Sequence, residues 1–174
     1  MGKLKERVRL RLFKDKDFEF LHGLLSDPVT KKYFRNLYTV TKEGTANRLR
    51  CIQEDQYVGY NLRYVIEDKK LKIPVGKISG TIAKDDDKCI ELAILVHPDF
   101  RGQGYAKDGA LAYIAKMREL RPEISKYRMV IEESNKASQA VAKKLEFKLK
   151  SVREIGPSKT KMETWEDREN QKTE

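Results

Sequence analysis

The stretch from Val96 to Met117, VHPDFRGQGYAKDGALAYIAKM, holds two glycines between a β-branched apolar run and an amphipathic helical pattern. Glycine at a strand-to-helix turn lets the backbone approach a ligand closely. Consecutive N–H groups at the start of a helix, with the positive end of its dipole, can hold a phosphate without a metal. Gly102 and Gly104 therefore predict a phosphate-binding turn. The alternative is a turn that only packs the helix on the strand.

Residue spacing excludes two common glycine-loop chemistries. In a Walker A loop, Lys and then Ser or Thr follow the second glycine. Gly104 and Gly109 have the right separation, but Ala110 and Leu111 follow them, so no side chain could contact a γ-phosphate or magnesium. A dinucleotide-binding motif needs a third glycine where Lys107 stands, and no strand with an acidic residue follows at the required distance.

Hydrophobic periodicity and helix caps predict the elements that position this turn, in the order β-α-α-α-β-β-β-α-β-α-β-β. The predicted strands are 8–13, two antiparallel strands within 57–83, then 89–96, 127–133, 148–155 and 161–168. The predicted helices are 15–27, 29–36, a third after residue 41, 105–121 and 134–147. This order is typical of a mixed α/β layer fold. Residues 1–174 are expected to form one domain, with a polar tail that frays after about residue 168.

Side-chain types predict where the helices begin and end and which of their residues face inward. Three N-caps are predicted: Asp15, Thr41, and Ser134 or Asn135. Leu49 and Ile52 are expected to face inward from the third helix. The helix after the glycine turn is predicted to end before Pro122 and to turn one stripe of residues inward: Ala106, Ala110, Tyr113, Met117 and Leu120.

Composition narrows the class of protein. The chain has 174 residues, a formal net charge of +10 and a pI near 9.5, which fits an anionic ligand, an acidic partner, nucleic acid, or simply a well-solvated basic surface. Two cysteines, Cys51 and Cys89, and two histidines are too few for a disulfide framework or a zinc site, so no metal is expected. No apolar signal region or membrane-spanning segment is present, and a cytosolic protein is expected.

The glycine turn also fits a third pattern, R-x-x-G-x-A, from Arg101 to Ala106. With the strand before it, as CIELAILVHPDFRGQGYA, it resembles the central strand and cofactor loop of the GCN5-related N-acetyltransferase (GNAT) superfamily. The segment NKASQAVAKKLEF resembles a later helix of that fold. The segment RVRLRLFKDKDFEFLHGLLSDPVTKKYF is similar to the opening of its RimJ/RimL-like branch. The resemblance implies a mixed, mostly antiparallel central sheet of about seven strands flanked by helices, with a splayed cofactor-binding strand.

The resemblance implies that the chain moves acetyl from acetyl-coenzyme A (acetyl-CoA) to an amine by direct attack and releases CoA. The positions that match the family's cofactor contacts are Leu95, Val96, Arg101, Gly102, Gln103, Gly104, Tyr105, Ala106 and Asn135. Leu95 and Val96 match the strand residues that pair with pantetheine as an added strand would. Asn135 matches a family asparagine near the pantetheine or the acceptor, and it is equally well explained as a helix N-cap.

Two catalytic residues follow from the same resemblance. Glu91, a lone carboxylate inside CIELAILV, matches a frequent general base that works through water; the alternative is an outward-facing residue on a half-exposed strand. Many family members carry a tyrosine as the thiolate's proton donor where Ala142 stands here, and Ser138 matches the serine of the RimJ/RimL-like branch. The alternative for Ser138 is a buried serine that bonds back to a carbonyl. Glu146 replaces the usual helix-ending glycine, so that helix is expected to end differently.

The acceptor amine is not specified by these motifs. The positive charge of the chain favours the N-terminal amine of a protein as the acceptor. A protein on an RNA-rich particle such as the ribosome fits this charge best. The alternatives are a small-molecule amine (a polyamine, an aminoglycoside or an amino acid) and, from another class, a non-catalytic regulator that binds CoA or nucleic acid. The last would show a basic stripe with interleaved aromatics, of which YVGYNLRYV is a faint version. No membrane partner is expected, and both a monomer and a homodimer are compatible with the sequence.

Overall fold

The structure is a computed structural model that describes residues 6–34, 40–57 and 62–167. Within these residues the elements follow the predicted order. The strands are β1 Val8–Arg11, β2 Arg63–Asp68, β3 Pro74–Ile82, β4 Cys89–Val96, β5 Lys126–Glu132, β6 Lys148–Ile155 and β7 Thr160–Glu166. The α-helices are α1 Phe18–Ser26, α2 Pro28–Tyr33, α3 Lys42–Tyr57, α4 Tyr105–Leu120 and α5 Lys136–Lys144. The tail that was predicted to fray lies outside the described residues.

The strands form one seven-stranded sheet in the order β1-β2-β3-β4-β5-β7-β6. The pairs β1–β2, β2–β3, β5–β7 and β6–β7 are antiparallel, and β4–β5 is parallel. The predicted mixed, mostly antiparallel sheet is therefore confirmed. The parallel pair is possible because α4 crosses from the end of β4 to the start of β5.

The pairing of β4 with β5 is short. It runs from Cys89–Lys126 to Glu91–Arg128 and no further along the described residues, although β4 continues to Val96 and β5 to Glu132. The splayed strand that the sequence predicted is thus present. Backbone groups on that side of β4 must find partners other than β5 beyond Glu91.

The chain divides into two compact units, residues 1–79 with 94–112 and residues 80–93 with 113–174. In the first unit, apolar side chains of α1 and α3 pack on β2 and β4; this core cluster comprises Phe13, Leu21, Leu24, Leu25, Leu49, Ile52, Val65 and Leu95. In the second unit the fully buried side chains include Ile90, Tyr113, Met117 and Tyr127. Burial of these apolar faces supplies the main stabilising free energy of each unit.

Most of the predicted helix ends and faces are confirmed. The Thr41 hydroxyl accepts a hydrogen bond from the Gly44 N–H at 3.0 Å and caps α3, and Asn135 caps α5. Asp15 was predicted wrongly, because a 3₁₀ turn over Asp15–Asp17 precedes α1 and leaves Asp17 at its N-cap position. Leu120 was also predicted wrongly to face inward. It is 56% exposed, because the last turn of α4 extends beyond the core.

Two element boundaries also differ from the prediction. The strand expected to begin at Tyr57 begins at Arg63, because α3 extends through Tyr57. The residues YFRN were assigned to one helix, but α2 ends at Tyr33 and the positions after Phe34 lie outside the described residues. In both cases the sequence pattern is ambiguous where a helix meets a loop, since helical and extended periods share apolar positions over a few residues.

Glu146 ends α5 as a glycine would. The expectation of a different ending is wrong: Glu146 has φ of 62°, in the left-handed region. The Phe147 N–H donates to the Ala142 carbonyl at 3.0 Å, and the Glu146 N–H donates to the Lys143 carbonyl at 2.9 Å. These two bonds define a Schellman ending, and burial of Phe147 holds the chain in it despite the steric cost to a non-glycine residue.

Candidate functional site

The turn between β4 and α4 has the backbone shape that the glycines predicted. Gly102 has φ of 73° and Gly104 has φ of 88°, both in the left-handed region that side chains rarely adopt. A Cβ atom added at either position would meet no heavy atom within 4 Å. The glycines are therefore required by conformation and leave open space above the turn, which a packing role alone does not call for.

Backbone N–H groups line this turn, and the part of the chain that the structure describes gives them no acceptors. The first helical bond of α4 is from the Asp108 N–H to the Gly104 carbonyl, at 3.1 Å. From Gly102 to Lys107 no N–H group has a hydrogen-bond acceptor among the described residues. A row of N–H groups at the positive end of a helix dipole is an anion site.

Arg101 braces the turn with its side chain. Its Nη2 donates to Asp27 Oδ2 at 2.6 Å, and its Nε donates to the Val96 carbonyl at 3.1 Å. Asp27 also accepts from the Thr30 N–H at 2.8 Å at the start of α2. Burial raises the pKa of Asp27, but the bonds from Arg101 and Thr30 outweigh it and lower the pKa. The Arg101 charge is thus largely neutralised, and its main service is to position the turn.

A second brace comes from the start of β1. Arg7 Nη1 donates to the Gln103 carbonyl at 2.7 Å, and its guanidinium carbon lies 3.7 Å from the centre of the Tyr105 ring. The buried Tyr105 hydroxyl donates to Asp68 Oδ2 at 2.7 Å. Burial and the Asp68 carboxylate raise the pKa of Tyr105, so the hydroxyl stays a donor. Tyr105 therefore offers its backbone, and not its side chain, to a ligand.

Apart from Asn135, which lies in the second unit, the remaining residues assigned to the cofactor lie close to this turn in sequence and in the first unit. Leu95 is buried in the core cluster, Val96 is partly buried, and Ala106 is partly buried in the first turn of α4. The Gln103 side chain donates to the Asp99 carbonyl at 3.0 Å and so stabilises the turn itself. Together with the unpaired side of β4 and the N–H row, these positions fit the extended pantetheine and pyrophosphate of a CoA molecule.

Glu91 in the second unit is held by Arg128, the residue opposite it in β5. Arg128 donates to Glu91 Oε1 from Nη2 at 2.6 Å and from Nε at 3.1 Å, and it also bonds both oxygens of Asp85. Arg128 is 8% exposed, whereas the Glu91 side chain is 37% exposed. Glu91 Oε2 has no hydrogen-bond partner among the described residues, so it is the oxygen open to a water or an amine.

Asp85 and Arg128 stabilise each other's charged forms. Hydrogen bonds from Arg128 are the main cause that lowers the pKa of Asp85 to about 2. The bond to Asp85 also raises the pKa of Arg128, despite burial. The guanidinium therefore stays charged at every working pH and remains able to bind Glu91.

Asn135 and Ser138 meet at the start of α5. Asn135 Oδ1 accepts from the Ser138 N–H at 3.1 Å, so the N-cap role of Asn135 is confirmed. Ser138 is partly buried, and the described residues give its hydroxyl no hydrogen-bond partner. The fully inward positions of α5 are Gln139 and Ala142, so Ser138 lies at the edge of the buried face. A backward bond to a carbonyl, the structural alternative for this serine, is absent among these residues.

Sequence reasoning missed the residues that position the predicted ones. Arg7, Asp68 and Arg128 were not singled out, although each is a charged residue inside or beside an apolar strand pattern, which is the available signal. Among the described residues no group of three His, Cys, Asp or Glu side chains could hold a metal ion. In the same residues no helix is long and apolar enough to cross a membrane.

Solved structures share this fold. An acetyltransferase of the GNAT family from Bacillus anthracis superposes with a TM-score of 0.78 at 20% identity, over 92% of this chain and 94% of that chain. RimL, the ribosomal L7/L12 α-N-protein acetyltransferase, in complex with coenzyme A gives 0.75 at 17% identity, over 95% and 96%. A spermidine N-acetyltransferase from Vibrio cholerae, with CoA and spermine, gives 0.74 at 15% identity, over 94% and 96%.

Comparison with curated protein sequences gives no match. The family model described as an acetyltransferase (GNAT) domain matches residues 7–148, which include the braced glycine turn, both β4 and β5, and the start of α5. Because this match covers most of the chain, it establishes the family and with it acetyl-CoA-dependent acetyl transfer. The chain belongs to the GCN5-related N-acetyltransferase family.

Proposed function

We propose that this protein acetylates the N-terminal amine of a protein in the cytosol, with ribosomal proteins as the first acceptors to test. The observation that carries the proposal is the row of N–H groups from Gly102 to Lys107, which the described residues leave without acceptors. The row is rigid, since Arg101 and Arg7 brace it from two sides. Residues 1–174 would serve as one N-acetyltransferase domain.

When bound, acetyl-CoA supplies the acetyl group as a thioester, which an unprotonated amine attacks directly. The N–H groups of Gly102 to Ala106 bind the pyrophosphate, and no metal is needed because the helix dipole and these donors supply the positive field. The backbone of Leu95 and Val96, unpaired with β5, binds the pantetheine chain as an added strand would.

Glu91 is the proposed general base. Arg128 binds its Oε1 and thereby fixes the carboxylate, while Oε2 has no donor among the residues that the structure describes. That oxygen takes the amine's proton, either directly or through one water. An α-amino group has a pKa of about 8, so only a modest free energy is needed to deprotonate it near neutral pH.

Ser138 is the proposed proton donor to the departing thiolate, because its hydroxyl is not engaged by the described residues. Asn135 fixes the first turn of α5 through its Oδ1, and its amide NH₂ is left to donate to the pantetheine. Both roles, proton donation by Ser138 and a pantetheine contact by Asn135, come from the family resemblance. The geometry supports them because the described residues do not engage these two groups.

A protein N-terminus is favoured over a polyamine on charge. The chain carries a formal net charge of +10, and a polycationic acceptor would require an acidic site. Structural neighbours include both a ribosomal-protein acetyltransferase and a spermidine acetyltransferase at low identity, so the fold itself is compatible with both classes.

The test is release of free thiol from acetyl-CoA with a panel of acceptors: N-terminal peptides of ribosomal proteins, polyamines, aminoglycosides and amino acids. Turnover is expected with peptides and is expected to be unaffected by EDTA. Turnover confined to small amines would overturn the peptide assignment. Tight binding of CoA without turnover of any acceptor would instead favour a non-catalytic regulator.

A further inference from the structure

Lys77 lies where the fold otherwise places apolar side chains. It is in β3 and pairs with Val65 of β2. The His97 N–H donates to the Val75 carbonyl at 2.9 Å, and counting two residues along each antiparallel strand puts Leu95 opposite Lys77. Val65 and Leu95 both belong to the core cluster that α1 and α3 cover. A lysine therefore stands between two core residues of neighbouring strands, on the same face of the sheet.

The charges that act on Lys77 are positive. Arg63 lies on the same face of β2, opposite Ser79, and Arg48 lies in α3 next to Leu49 of the core cluster. Burial, with the charges of Arg63 and Arg48, lowers the pKa of Lys77 to about 8. Asp55 pairs with Arg63 at 2.8 Å. Lys77 itself, which is partly buried, has no hydrogen-bond or ion-pair partner among the described residues.

Such an arrangement costs stability. A partly buried ammonium that lacks an anion, beside two guanidinium groups, is less favourable than an apolar side chain of the same length. The lysine stem can cover apolar surface, but methionine would do so without the charge. Groups whose environment disfavours them in this way are concentrated at ligand-binding sites, where the ligand supplies the missing partner.

We propose that Lys77, with Arg48, binds a carboxylate on the acceptor, so that preferred substrates carry an acidic group close to the reacting amine. The inference rests on the proposed acetyl transfer, because Leu95, opposite Lys77, is one of the two β4 residues assigned to pantetheine. The turn after β4 already supplies the pyrophosphate contacts. Because Arg63 of β2 is already paired with Asp55, the cations left for the other substrate are Lys77 of β3 and Arg48 of α3.

Matched acceptors test the charge requirement. Two peptides with the same N-terminal residue, one with Glu and one with Gln at the second and third positions, differ only in charge; alanine and alaninamide make a small-molecule pair. We expect the wild-type protein to have roughly a tenfold or higher kcat/KM for the acidic member of at least one pair, the effect of one or two charge-assisted hydrogen bonds.

Lys77→Met keeps the unbranched stem and removes the charge. We expect the ratio of kcat/KM between acidic and neutral members to fall to near one in this variant. Lys70→Met, at an exposed position of the β2–β3 turn, is the control and should keep the wild-type ratio. Thermal unfolding of Lys77→Met should occur at or above the wild-type temperature, because an unpartnered charge has been removed.

The outcomes separate this inference from the function on which it rests. Thiol release with equal kcat/KM for acidic and neutral acceptors would overturn the carboxylate site and leave acetyl transfer standing. A preference for acidic acceptors that survives in Lys77→Met would also overturn it. No thiol release with any acceptor, despite binding of acetyl-CoA, would count against the proposed function itself and the inference with it.

Discussion

The glycine turn of the first unit and the Glu91 cluster of the second prepare for chemistry in opposite ways. In the turn, the side chains of Arg101, Gln103 and Tyr105 are all bonded to the protein, whereas the backbone N–H groups have no acceptors within residues 6–34, 40–57 and 62–167. At Glu91 the backbone pairs with β5, and one side-chain oxygen has no partner in those same ranges. The first region offers backbone N–H groups to a ligand, whereas the second offers a carboxylate oxygen.

The two regions should therefore be sensitive to different substitutions. A site built from main chain is insensitive to most side-chain deletions but fails when the backbone cannot adopt its conformation or the approach is blocked. A site built from one carboxylate fails when its ability to take a proton is removed, even if its shape is kept. Substitutions chosen on this basis should separate binding of acetyl-CoA from turnover.

The largest effect is expected at Glu91. Glu91→Gln keeps the shape and the bonds from Arg128 but cannot take up a proton, so turnover should fall roughly 10²- to 10⁴-fold while acetyl-CoA binds normally. The deficit should shrink as pH rises toward the amine's pKa of about 8, because solvent then supplies the free amine. Rates of thiol release between pH 6 and 9, with calorimetry for binding, measure both.

Asp85→Asn is the matched control, since Asp85 is the other carboxylate on Arg128. A base at Glu91 predicts a small effect in this control. If both substitutions reduce the rate alike and without pH dependence, the cluster only orders β4 and β5, and the amine deprotonates in solution.

The next effect is expected in the turn. Gly104→Val should weaken acetyl-CoA binding by roughly a hundredfold, because a β-branched residue resists a φ of 88° and its side chain occupies the open space above the N–H row. Calorimetric titration with acetyl-CoA measures the change. Gly156→Val is the control: Gly156 has φ of 67° with equally open surroundings but lies in the β6–β7 turn. Equal losses of affinity in the two variants would remove the turn from the cofactor site.

A smaller effect is expected at Ser138. Ser138→Ala should lower kcat roughly tenfold, less than the usual range for a general acid because water can also protonate the thiolate. KM for both substrates should change less, since protonation of sulfur comes late in the reaction. Ser158→Ala, in the exposed β6–β7 turn, should be neutral. An unchanged kcat in Ser138→Ala at every pH would assign the proton to water.

The smallest effect concerns stability at Glu146, which stands where a helix-ending glycine is usual. Glu146→Gly should raise the free energy of unfolding by about 1 kcal/mol, because glycine adopts the left-handed φ of 62° without steric cost. Lys144→Gly, inside the last turn of the same helix, should lower it by a similar amount. Urea unfolding measures both. A loss of stability in Glu146→Gly would show that the glutamate side chain itself stabilises the helix end.

Local sequence patterns were sufficient to predict most of the fold. The order of the seven strands and five helices, the caps at Thr41 and Asn135, and the stop before Pro122 follow from hydrophobic period and capping chemistry over a few residues. The predictions that failed all concern residues at element ends, where neighbouring turns compete with the same local signals. They are the boundaries at Asp15 and Tyr57 and the inward orientation of Leu120.

The glycine turn could be predicted from neighbouring residues, because a left-handed backbone and open N–H groups depend on residues next to one another in the chain. The pairing of charges could not, because it depends on how distant segments pack together. The contacting groups are Arg101 with Asp27, Arg7 with Tyr105 and Asp68, and Arg128 with Glu91 and Asp85. They join residues 37 to 98 positions apart, through strands and helices that meet only when the chain is folded. The partner of a charge fixes what that charge can do, so the orientation of Glu91 by Arg128 and the role of Lys77 could be argued only from the folded chain.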